Sequence, residues 1–189
     1  MIETAGRRFK ADGIDGSGIA TLVADAGLTN GAFYGHFASK GDLVASVVAD
    51  QLAAQVAWVN ALPAGLDSIG QLLSEYLSPA HRDDRAGGCP SAALLDEIGR
   101  CDDVTKQAYT AGAQDLIDAI ARHLDPGDPE AAHQRAIGLF TLLVGALQAA
   151  RAVSDAELSD QILATAYSNA MTIVGATQRA GSQTTQEQK

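Results

Sequence analysis

Cysteine is scarce, with two in 189 residues, so no disulfide framework can hold this chain. A reducing compartment, the cytoplasm, is the expected setting. Positive charge is also short: 13 Lys and Arg face 23 Asp and Glu, a net charge of −10. That balance argues against broad, non-specific attraction to nucleic acid or to a membrane surface. The longest strongly apolar run, Ala136 to Ala150, falls short of the roughly 20 residues that cross a bilayer, so no membrane partner is expected. No basic start followed by an apolar stretch opens the chain, and no secretory signal is expected. Internal repeats are missing too.

What the sequence does have is helical spacing. Hydrophobic residues make up 47%, enough for a buried core, and they recur at three and four far more than at two. Ile69, Leu72, Leu73, Tyr76 and Leu77 form one stripe; Val44, Val48, Leu52, Val56 and Val59 form another. A third runs from Leu158 through Ile162, Leu163, Ala166, Tyr167, Ala170 and Ile173 to Val174. Breakers separate them at Leu62–Gly65, Gly87–Pro90 and Asp125–Pro129. The chain therefore reads as all-α, with about nine helices near 2–11, 19–26, 30–36, 40–61, 67–79, 90–100, 103–124, 128–152 and 156–176. Short helices and clustered glycines set residues 1–45 apart from the longer helices of 46–176, and the boundary falls inside a helix. The polar stretch 177–189 has no stripe and is expected to be a disordered tail.

Residues 19–37 carry the most chemistry. Leu22, Val23 and Ala26 make the inner face of a short helix, and Gly27 stands where that helix must stop with positive φ. Leu28 is expected to plug the turn, and Thr29 to cap a second helix whose Phe33 and Phe37 point inward. Two short helices around a glycine turn form a helix-turn-helix, whose second helix can enter the DNA major groove. Thr29, Asn30, Gly31, Tyr34 and Gly35 are left on its outer face. Asn30 suits adenine, Thr29 a base or phosphate, and the Tyr34 hydroxyl a phosphate. Ser39-Lys40-Gly41-Asp42 then opens a further helix with a cap and a carboxylate three residues on, leaving free N–H groups, a positive dipole end and Lys40 for phosphate. His36 is a second candidate phosphate donor.

Ala26-Gly-Leu-Thr29, Phe33-Tyr-Gly-His-Phe37 and Ser39-Lys-Gly-Asp-Leu43, with Ile2 to Phe9 and Gly13 upstream, resemble the tetracycline-repressor (TetR) family over about residues 2–45. The resemblance implies an N-terminal three-helix DNA-binding unit and a larger helical domain that binds a small ligand and dimerises. It places Thr29, Asn30, Tyr34, His36 and Lys40 on DNA. Val23 departs from the family's usual Ala, and Gly35 removes a contact that a larger polar residue would make. Relatives usually carry further residues, often basic, ahead of the first helix, so residues upstream of Met1 are expected. Residues 1–50 hold four basic and six acidic side chains, a charge of −2, so any DNA affinity must come from a few placed contacts.

Further along, Ile137 to Leu147 is apolar around most of its circumference and must be buried on more than one side. Leu139, Leu143, Leu147, Leu158, Ile162, Tyr167 and Ile173 are the expected face for a second copy; the alternative is the core of a monomer. Gly138 and Gly145 would permit close helix approach. Trp58, Tyr76, Cys89, Tyr109 and Phe140 are candidates to line an effector pocket, with plain core as the competing account. Cys89 stands at a helix N-terminus, where a thiol can serve as a redox sensor or simply as packing. Asp96 and Glu97 could attract a cation or be solvated, and Arg82 to Arg85 read as a solvated loop. His81, His123 and His133 have no companion at ligand spacing, so neither a metal nor a cofactor is expected.

The function these residues favour is a ligand-responsive transcriptional regulator, expected to be a repressor released from a palindromic operator, and not an enzyme. Its partners would be double-stranded DNA, a small-molecule effector and a second copy of itself. Two alternatives stand beside it: a thiol enzyme with Cys89 as nucleophile and His81 as base, and a DNA-independent helical scaffold dimer.

Overall fold

Pro90 and Pro129 each sit at the first turn of a helix, where a missing N–H costs nothing, and Thr29 and Asp128 cap helices with their side chains. Such local signals lay out the chain in the computed structural model, which describes residues 1–63, 65–124 and 127–184, with side chains as far as Gly175. Ten helices are present among the described residues: α1 (Ile2–Asp12), α2 (Ile19–Asp25), α3 (Asn30–His36), α4 (Lys40–Ala61), α5 (Leu66–Tyr76), α6 (Pro79–Asp83), α7 (Pro90–Arg100), α8 (Asp103–Leu124), α9 (Pro129–Ala152) and α10 (Ala156–Thr184). They cluster into two units, one of Met1–Asn60 with Asp84–Leu116, the other of Ala61–Asp83 with Ile117–Lys189. The division expected at residue 45 runs through the first of these.

In the first unit, Ala5, Phe9, Leu22, Val23, Phe33, Leu43, Val47, Leu52, Leu94 and Ile98 are all buried. Helix α7 is fastened to the chain around α1 near both of its ends. Lys10 Nζ donates to the Gly88 carbonyl at 2.8 Å, and the Glu97 carboxylate accepts from the backbone N–H of Ile14 at 2.7 Å and of Asp15 at 3.3 Å. Glu97 is therefore a brace for the α1–α2 turn rather than a cation trap or a solvated charge. Its neighbour Asp96 pairs with Arg100. Helices α4 and α8 approach so closely that a Cβ at Gly112 would lie 2.7 Å from Leu52 Cβ.

The second unit is built on the long pairing of α9 with α10, with α5 against α10 and α6 against α9. Leu139, Leu143 and Leu147 are buried here within a single chain, so they fill this unit's interior instead of offering a face to a second copy. An all-round apolar helix shows that burial is needed, not what supplies it. Helix α6 replaces part of the loop expected at 82–85. Arg151 donates to the carbonyls of Arg82 at 3.0 Å and His81 at 2.9 Å, satisfying groups at the end of α6. Arg82 in turn donates to Asp83 at 2.8 Å, Asp160 at 2.7 Å and Ser159 Oγ at 2.9 Å. Those carboxylates, Asp83 first, hold the Arg82 guanidinium still more firmly protonated than usual.

Helix α10 continues to Thr184, past its expected end at 176. The remainder of the expected tail, 185–189, lies outside the described residues. By length and composition α4 and α9 could cross a bilayer, yet each supplies buried side chains to the helical units above. His133 does have a carboxylate companion, Asp118 Oδ1 at 3.0 Å from Nδ1, though among the described residues no three metal-type ligands gather.

Candidate nucleic-acid interface

Helix α2 ends on a turn closed entirely by backbone. Gly27 adopts φ 66°, the left-handed value that favours glycine, and the Leu28 N–H donates to the Val23 carbonyl at 2.9 Å. Leu28 itself is exposed, so hydrogen bonds rather than its side chain seal the corner. The chain then extends through Thr29, whose Oγ1 accepts from the Ala32 N–H at 3.2 Å and starts α3.

A seven-residue helix cannot stand alone, and α3 is pinned from one side. Phe33 is wholly buried, with its ring centroid 5.0 Å from Tyr34 in an edge contact and 5.6 Å from Phe37. That anchor decides what the opposite side presents. Thr29, Asn30, Gly31, Gly35 and His36 are exposed, and Tyr34 is 62% exposed. Beyond α3, Ser39 Oγ accepts from the Asp42 N–H at 3.1 Å while Asp42 accepts from the Ala38 N–H at 3.1 Å, the reciprocal cap read from Ser39-Lys-Gly-Asp42. Lys40, at the first position of α4, is half-buried.

Charge around this surface is sparse and partly spoken for. Of the four basic residues among the first fifty, Lys10 is turned into the Gly88 loop, and Arg8 lies 3.1 Å from Asp12 and 3.2 Å from Asp25. Arg7 and Lys40 remain. An open recess of about 600 Å³ beside α1 is lined by Glu3, Arg7, Arg8 and Asp25 among others, a mixture of signs.

None of the five candidate effector-pocket residues lines that recess. Trp58, Cys89 and Tyr109 belong to the first unit, Tyr76 and Phe140 to the second. Tyr109 donates to Ser91 Oγ at 3.1 Å, and burial pushes its phenol up. Cys89 occupies the cap position of α7, 3% exposed, with Sγ 3.9 Å from Gln55 Oε1. Tyr76 meets the His81 ring edge-on at 4.6 Å. The bracing roles of Glu97 and Arg151, each within its own unit, are not legible in the sequence because their partners lie some 70 to 80 positions away.

A glycine-closed pair of short helices, the second capped by Thr29 and exposing its N-terminal residues, defines a helix-turn-helix DNA-binding protein. Residues 1–47 match the family described as bacterial regulatory proteins, tetR family. No curated protein matches it. Solved structures show the same fold. The reduced form of Escherichia coli NemR superposes with a TM-score of 0.74 at 21% identity, over 89% of this chain and 93% of that one. A TetR-family regulator from Streptomyces coelicolor gives 0.65 at 23% identity, over 92% and 91%. The Bacillus subtilis regulator FadR, in complex with stearoyl-CoA, gives 0.63 at 15% identity, over 92% and 94%.

Proposed function

We propose that this chain binds a palindromic operator as a homodimer and leaves it when a small-molecule effector binds, acting as a repressor. DNA reading is assigned to residues 1–45, effector binding and dimerisation to 46–176. The observation that carries this is the outward ridge of α3, held in place by buried Phe33. Asn30 and Thr29 offer groups to base edges, Gly31 lets the helix come close, and Tyr34, His36 and Lys40 supply phosphate donors. A two-fold pair of such helices would address half-sites about 34–36 Å apart. An effector of unidentified class acts by binding the two arrangements of the dimer unequally. Its target in the cell interior agrees with the two free cysteines.

A thiol enzyme is disfavoured by the burial of Cys89, since a nucleophile needs access to its substrate. The scaffold alternative has no use for a capped, exposed α3. Footprinting of the purified protein on the DNA flanking its own gene tests the proposal. A protected palindrome with half-sites one helical turn apart is expected; uniform cleavage at low salt would refute it.

A further inference from the structure

Resting on the reading that the first turn of α4 meets a DNA phosphate, we infer that Asp102 is a built-in restraint on DNA affinity, a carboxylate stationed over that turn. Asp102 stands at the α7–α8 corner, where its Oδ1 accepts from the Thr105 N–H at 2.9 Å and caps α8. The other oxygen reaches α4: a Cβ at Gly41 would lie 3.1 Å from Oδ2. Gly41 is the second residue of α4, so its missing side chain is what allows the carboxylate this close to the helix start.

The start of a helix attracts anions through free N–H groups and the dipole, and Lys40 adds a positive charge. Asp42 is already part of the cap there. Asp102 brings a second negative charge from sixty positions along the chain, and it stays ionised because the Thr105 N–H holds its carboxyl below the usual range. A phosphate arriving at α4 meets this like charge at short distance. The α7–α8 corner thereby sets how firmly α4 grips the DNA backbone, a role in which a chain of net charge −10 spends one acidic side chain against its own ligand.

Asp102→Asn removes the charge and keeps an amide oxygen to cap α8. Its affinity is read by anisotropy with a labelled duplex of the DNA flanking the gene. At low salt the variant is expected to bind about three- to eightfold tighter than the natural protein, with the gain shrinking as salt is added. Asp102→Ser, a second uncharged cap, is expected to match it. Asp115→Asn removes the same charge from within α8, about 20 Å beyond Asp102, and is expected to change affinity by less than about twofold. Unchanged or weaker binding by both Asp102 variants overturns the inference and leaves the DNA reading standing, as does an equal gain from Asp115→Asn. If the folded natural protein and every variant fail to bind, the DNA reading falls and this inference with it.

Discussion

Phe33 and Tyr34 are adjacent, yet one is sealed inside and the other faces water. Substitution should separate their roles. Tyr34→Ala is expected to change the unfolding free energy measured in urea by under about 0.5 kcal/mol, as exposed sites do, while weakening DNA binding roughly tenfold. Phe33→Ala should cost about 3–5 kcal/mol and abolish binding by loosening α3. Equal destabilisation by both changes would return Tyr34 to the core. The two cysteines differ as well. Burial, then the charges of Asp102, Asp15 and Glu97, push the Cys101 thiol up. A thiol raised on folding resists ionisation, so stability is intact below the ordinary thiol range and declines as pH rises through it. Iodoacetamide labelling of Cys101 in the folded protein should accordingly need a higher pH than the same residue in urea.

Helices were legible wherever they announce their own ends. Thr29, Ser39, Gly27 and the two N-terminal prolines mark starts and stops locally, and the expected and observed spans of α2, α3, α4, α7 and α8 differ by at most a residue. Helix α6 was not legible: its five residues are too few for periodicity, and the Arg151 side chain that holds its end arrives from α9. The same limit hid the Glu97 brace and the burial of Leu139, Leu143 and Leu147, because periodicity reports a face but not its neighbour. The α3 ridge, in contrast, followed from counting which positions remain after Phe33 and Phe37 turn inward. Close packing supplies a sharper test at this scale. Gly112→Ala should lower stability by about 1–3 kcal/mol through collision with Leu52, despite alanine's better helix propensity. A gain in melting temperature would show that α4 and α8 are less tightly opposed.

For the assembled molecule, the proposed dimer needs apolar surface that one chain leaves uncovered. Leu158 is 45% exposed and, by the helical period, lies within about 60° of half-buried Ile162 and Ile173 on one flank of the buried α10 stripe. Tyr167 and exposed Met171 fall on the other flank. Leu158→Lys is therefore expected to give a folded monomer in sedimentation, whereas Met171→Lys should remain dimeric; a dimer in both cases would move the interface elsewhere.

The fastening of α1 to residues 88 and 97 bears on how such proteins can be recombined. The segment proposed to read DNA is not a cassette: its first turn hangs from Glu97 and its first helix from the Gly88 carbonyl, some 80 residues downstream. Anyone grafting the opening residues onto another regulator must transplant 84–116 with them, or the reader arrives without the bracket that aims it.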